Sequence, residues 1–152
     1  MTSTTGARAV TALDLQECWS LLARDTVGRV AYTLRDRPAI VPINYVLSGN
    51  DVLLRTDADS AFGGAVDGQV VALEIDRIDR TTHTGWSVVV QGTATVTDLA
   101  GLPPRPSLAG LEPWAEGRRG LLVRIEVDSI TGRRLVAQTA PEAVPRPRWR
   151  RA

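Results

Sequence analysis

At 152 residues, 43% apolar and 23% charged, the chain has the size and composition of one globular domain rather than two. Its formal net charge of +1 provides no whole-molecule field for gathering nucleic acid or an acidic membrane. Every basic side chain is arginine and Cys18 is the only cysteine, which excludes lysine Schiff-base chemistry, an internal disulfide and a thiolate metal cluster.

Residues 1–12 are small and polar, lack the basic and apolar regions of a signal peptide, and predict a flexible N-terminus. No apolar run approaches the length of a membrane span, so the cytoplasm is the expected compartment. Leu15, Cys18, Trp19 and Leu22 then fall at i, i+3, i+4 and i+7. They predict a helix over 14–24 that starts on a capping box of Asp14 and Glu17. Beyond it the period changes to two. Strands are predicted at 29–34, 39–47 and 52–56, separated by turns at Asp36-Arg37-Pro38 and Ser48-Gly49-Asn50-Asp51. Connections this short join antiparallel neighbours. Residues 57–66 predict a short helix or turn, 70–76 a nearly continuous apolar strand, and 86–96 a long strand. Prolines and glycines across 98–119 allow at most short helices. A core strand at 121–127, a turn at 128–132 and a last strand at 133–136 follow. Residues 141–152, rich in Pro and Arg, predict a flexible basic tail. The expected fold class is mainly β: six or so antiparallel strands closed into a small barrel over 13–140, with an N-terminal helix and short helices.

Several strands carry residues that a half-buried strand has no packing use for, and such local conflicts concentrate at binding sites. Pro42 lacks a ladder donor and frees neighbouring backbone groups, with Asn44 and Tyr45 close behind it. Arg55 and Thr56 end one strand and lead to Ser60, a guanidinium with hydroxyls suited to an anion such as phosphate. Local pairing of Arg55 with Asp57 or Asp59 is the plainer alternative. Trp86 and Ser87 open the longest strand after Gly85, where an indole can stack on a planar ring or plug a barrel end. Cys18 lies in the apolar stripe of the helix and reads as a core residue. His83, the only histidine, has no nucleophile motif near it, so neither a Cys/His pair nor a Ser-His-Asp triad is expected. No metal site and no catalytic side chain are assigned.

The segments that stand out are Glu17-x-Trp19, Gly28-Arg29-Val30-Ala31-Tyr32, Val41-Pro42-Ile43-Asn44-Tyr45, Leu54-Arg55-Thr56 with Ser60, and Val71-x-x-Glu74-x-Asp76. Gly85-Trp86-Ser87-Val88-Val89-Val90-x-Gly92 and Ile130-Thr131-Gly132-Arg133-Arg134 complete the set. Their order and spacing over residues 13–136 resembles the pyridoxamine 5′-phosphate oxidase-like family of flavin-binding split β-barrels, in particular its small single-domain actinobacterial branch. The resemblance implies a six-stranded split barrel, a homodimer, and FMN held at the dimer interface. It implies that Pro42, Ile43, Asn44, Tyr45, Arg55 and Thr56 line the isoalloxazine ring and ribityl chain. Ser60 with Arg55 would meet the phosphate, and Trp86 and Ser87 would complete the pocket with residues of the second chain. Where close relatives carry Lys after the serine, this chain has Ala61, and loss of one charged phosphate contact costs about 1.5–3 kcal/mol. The function implied is a flavin-dependent oxidoreductase passing hydride between the flavin and a small organic substrate. The alternatives are a reductase using the deazaflavin F420, for which Ala61 leaves room, and a non-catalytic homologue binding flavin or another planar ligand. A more distant alternative is nucleic-acid or partner binding through Arg146, Arg148, Trp149, Arg150 and Arg151. The near-zero net charge and the confinement of that cluster to the tail both count against it.

Overall fold

Two-residue hairpins organise the first half of the chain. The computed structural model describes residues 8–98, 111 and 120–137. Strand β1 (Arg8–Ala12) and helix α1 (Leu15–Leu22) precede strands β2 (Val27–Leu34), β3 (Arg37–Ser48), β4 (Asp51–Thr56), β5 (Val70–Asp79), β6 (Thr84–Thr97) and β7 (Leu121–Ala137). Arg35 and Asp36 take positive φ, 49° and 60°, as a type I′ turn demands, and Gly49 takes 62° in the next hairpin. The first turn thus lies slightly ahead of the predicted Asp36-Arg37-Pro38, because Pro38, with φ fixed negative, belongs to the strand. Residues 57–66 are a succession of turns. The short helices expected within 98–119 and the basic tail at 141–152 fall outside the described residues, Asp98 and Leu111 apart.

Pairing runs β7–β4–β3–β2–β5–β6, and β6 pairs again with β7, which closes six antiparallel strands into a barrel-like ring. β1 is a seventh strand. The flexible N-terminus expected up to residue 12 gives way at Arg8, because β7 outruns β4 and offers its free edge to Arg8–Ala12. β7 is also longer than predicted. In place of a turn at 128–132 there is a register shift opposite Gln91 and Gly92, where Gln91 faces Ser129 and Gly92 faces Val127. Asp128 is absorbed as the extra residue of a bulge and Gly132 stays in register opposite Val88, since β6 supplies a template along the strand. Gly92 is required there: a Cβ would collide with the backbone carbonyl of Glu126.

Alternation buries Val30 and Tyr32 of β2, Ile43 and Tyr45 of β3, Val71, Leu73 and Ile75 of β5, Val88 and Val90 of β6, and Val123 and Ile125 of β7 in one core. Helix α1 is capped as predicted, with the Glu17 amide donating to Asp14 (2.8 Å) and the Asp14 amide to Glu17 (3.1 Å). Its buried face carries Cys18, Leu21 and Leu22, and it lies against β7 where Gly132 has no side chain. A Cβ on Gly132 would come within 2.6 Å of the Cys18 sulfur. Outside the ring, Leu53, Leu122 and Leu111 form a second small cluster with Val46.

Gly92→Ala should therefore lower stability by about 1–3 kcal/mol, since a carbonyl in a paired ladder cannot step aside. Gly132→Ala should cost less, because Cys18 and Leu13 present side-chain atoms that can shift. Urea unfolding of the two variants measures both, and the reverse ranking would contradict this account of the bulge.

Candidate functional site

Strand β3 changes partners along its length. Residues 37–44 pair with β2 and residues 45–48 with β4. Since β4 ends at Thr56, the first half of β3 keeps an edge with no described strand beside it. Thr33 donates its amide to the Gln69 side-chain oxygen (3.0 Å) and accepts on its carbonyl from the Gln69 side-chain nitrogen (2.9 Å). Its pair with Pro38 is thus of the non-hydrogen-bonded kind, and by alternation so are Ala31–Ile40 and Arg29–Pro42. The proline nitrogens face the open side, where no ladder bond is lost. That edge presents the carbonyls of Pro38, Ile40 and Pro42, with the amide of Ile40 as the one donor among them.

Opposite this edge lies the run of turns after β4. A cleft of about 290 Å³ is lined by Ile40 to Ile43, Tyr32, Thr56, Asp57 and Ser60 to Phe62. Tyr32 and Phe62 stack edge to face, with centroids 5.0 Å apart. The structure therefore brings together Pro42, Ile43, Thr56 and Ser60. The two hydroxyls are committed within the turn: Ser60 donates to the Asp57 carbonyl (2.6 Å) and accepts the Gly63 amide (2.9 Å). With that proton placed, the 3.2 Å contact between Thr56 and Ser60 has Thr56 as donor. Among the described residues the amides of Ala61 and Phe62 make no hydrogen bond. Arg55 is half-buried, points away from the core between inward Leu54 and Thr56, and forms no ion pair with Asp57 or Asp59.

The other expected residues lie elsewhere. Tyr45 is part of the core, 1% exposed, and its hydroxyl donates to the Leu22 carbonyl at 2.7 Å. Burial, reinforced by Asp25, raises its phenol well above the ordinary range. Asn44 stands on the face away from the core, opposite Val27. Trp86 packs against the main core and lines a separate groove of about 360 Å³ with Arg134 and the end of β7. Ser87 faces Asp76 on one side and Arg133 on the other. β2 and β5 stand between β3 and β6, so one chain does not bring Trp86 and Ser87 to Pro42. Cys18 is buried, and burial first, then Asp14 and Glu17, pushes its thiol above the ordinary range, which suits packing and not nucleophilic attack.

Sequence reasoning missed Tyr32 and Phe62 as cleft walls, and a charged group beside the cleft. Arg29 reaches Asp76 at 3.1 Å and Glu74 at 3.5 Å, and with Val27, Gly28 and Pro42 they border a second hollow of about 220 Å³. The signal was present: Glu74 and Asp76 lie two apart on one strand, with Arg29 in register opposite Glu74. Burial, then repulsion from Asp76, raises the Glu74 carboxyl above the ordinary glutamate range despite Arg29. A carboxylate whose folded value is raised binds its proton more tightly in the native state, so stability is lost as pH rises through the glutamate range. Glu74→Gln should gain stability relative to the parent over that rise, by less than about 1 kcal/mol for so exposed a group. Denaturant midpoints of both proteins from pH 4 to 7 test it, and a constant difference would remove the effect.

The family model for pyridoxamine 5′-phosphate oxidase matches residues 14–134, from the cap of α1 into the last turn of the β6–β7 ladder. An uncharacterized protein of Mycobacterium tuberculosis, Rv0080, is 39% identical over 139 residues, which is 88% of this chain and 90% of that one. Among solved structures, the FAD binding protein from Mycobacterium smegmatis is 32% identical, covering 83% of this chain and 98% of its own, with a TM-score of 0.63. A conserved protein of unknown function from Corynebacterium diphtheriae is 33% identical over 84% and 98% of the two chains, with a TM-score of 0.68. The matched span includes the open edge of β3, the turns after β4 and nearly all of the strand ring: the chain belongs to the pyridoxamine 5′-phosphate oxidase family.

Proposed function

We propose that this protein is a flavin-dependent oxidoreductase that works as a homodimer. The observation that carries the reading is the cleft between the open edge of β3 and the turns after β4. Its residues suit a flavin. Tyr32, Val41, Ile43 and Phe62 offer apolar surface to a flat ring, and the β3 carbonyls accept from a ring N–H. The amides of Ala61 and Phe62 in the cleft suit a phosphate, and Arg55, which precedes the lining Thr56 and points to the outer face, is the cation next in sequence to them. A bound flavin supplies hydride transfer, and the protein's part is to position the ring, exclude water and set the field around it. Asp57 and Tyr32 are the only ionisable side chains in the cleft lining, which fits chemistry that needs no acid or base from the protein.

Membership of the family and the separation of Trp86 and Ser87 from Pro42 support assembly of the site from two copies, with those residues supplied by the partner. FMN and F420 are the nucleotides suggested by the sequence resemblance. The similar Mycobacterium smegmatis protein, described as FAD binding, adds FAD to them. The substrate is a small organic molecule.

The visible spectrum of freshly purified protein, followed by titration with each flavin, tests this reading. We expect flavin absorption bands, and a loss of affinity of about tenfold to a hundredfold in Arg55→Ala, the effect of one charge-assisted hydrogen bond. Colourless protein that binds no added flavin would overturn the proposal. Unaltered affinity in Arg55→Ala would place the phosphate elsewhere, and a bound flavin that no reductant can cycle would leave a binding protein without the reaction.

A further inference from the structure

The groove at the end of the β6–β7 ladder carries charge of one sign only. It measures about 360 Å³, its walls include Trp86, Leu135 and Val136, and Arg134 is the one ionisable side chain in its lining. Sites for small molecules start at roughly this size, from about 300 to 1,000 Å³. Gly85 also lies in the lining and cannot gain a side chain, because a Cβ there would collide with the Arg77 carbonyl. The opening beside the indole is therefore fixed by the pairing of β5 with β6.

Cross-strand register sets three side chains in a row on one face: Arg77 of β5 is opposite Trp86 of β6, which is opposite Arg134 of β7. Glu17 accepts the Asp14 amide on Oε2 and Arg134 Nη1 on Oε1, the latter at 3.2 Å, so the helix cap steadies that guanidinium. Nε and Nη2 of Arg134 make no hydrogen bond among the described residues and are left for another acceptor. Arg77 is exposed and has neither an ion pair nor a side-chain hydrogen bond among the described residues. An indole between two guanidiniums with donors to spare suits a flat ring that bears an anion. A carboxylate joined to an aromatic ring lies near the ring plane, and its two oxygens match two N–H groups of one guanidinium. We propose that this groove binds a planar aromatic carboxylate, and that such acids are the substrate class of the flavin site. The second half rests on the proposed function: Trp86 is assigned there to the partner's side of the site, which sets the groove beside the flavin in the dimer.

Calorimetric titration of the full-length protein with 2-naphthoate and with 2-naphthamide, its neutral counterpart of similar shape, tests this. We expect the acid to bind at least about tenfold more tightly than the amide. Arg134→Gln should weaken the acid by about tenfold to a hundredfold and leave the amide unchanged, and Arg134→Lys should restore part of the loss. Arg77→Gln, a change at an exposed position without partners, should weaken the acid by about twofold to fivefold and keeps the test open if Arg134→Gln does not fold. In protein that carries flavin, the acid should also shift the flavin absorption bands. Equal binding of acid and amide, or a preference that neither arginine variant alters, would overturn the proposal while the flavin content of the protein stood. Arginine-dependent binding that leaves the flavin bands unmoved would overturn the assignment of these acids as substrates. Protein that takes up no flavin yet keeps the arginine-dependent preference would overturn the proposed function and leave the groove as a carboxylate site.

Discussion

The β6–β7 ladder is the constraint on which the rest of the molecule depends. It runs from Gly85–Leu135 to Thr97–Leu122, and it turns an open sheet into a ring by joining the strand at one end of the pairing order to β7. Closure fixes the inward set of side chains on every strand, since a slip of one residue would turn Val88, Val90, Val123 and Ile125 out of the core together. The extra residue in β7 is accommodated at one place, beside Gly92, and nowhere else in that ladder. The same long β7 seats β4, then β1, along its other edge, and carries the glycine against which α1 lies.

Within that ring, β4 is the short strand, and the cleft is a consequence of its length. Six residues of β4 reach only part of β3, so a stretch of β3 backbone stays unpaired and faces the turns that follow Thr56. The charged trio Arg29, Glu74 and Asp76 sits on the outer surface between that stretch and the strand bearing Ser87. Apolar cleft walls and a carbonyl-rich edge are thus two properties of one local mismatch in strand length.

Period and turn chemistry made the helix, its capping box and most strands legible from the sequence, because those features depend on residues close together in the chain. β1 was not legible: five residues without strong alternation become a strand only because β7 extends beyond β4. The turn expected at 128–132 failed for the same reason, a partner strand outweighing local Asp and Gly preferences. At the site, Pro42, Ile43, Thr56 and Ser60, expected together, line one cleft. Tyr45 was read as a ligand-facing donor, but strand parity turns it inward to Leu22, twenty-three residues away in sequence. Ser60 illustrates a finer limit. Its residue type suits a phosphate, yet the direction of a single proton, toward a carbonyl three residues earlier, decides what it can do.

The prolines of β3 have a second effect. Pro38 and Pro42 are four residues apart, so both remove an amide from the same open edge and leave only Ile40 able to donate there. A strand that docked alongside would meet repeated unreturned acceptors, which is a way natural sheets discourage edge-to-edge aggregation. An edge unable to recruit another strand can stay uncovered in a crowded solution, so the opening that suits a small ring is also kept from polymerising.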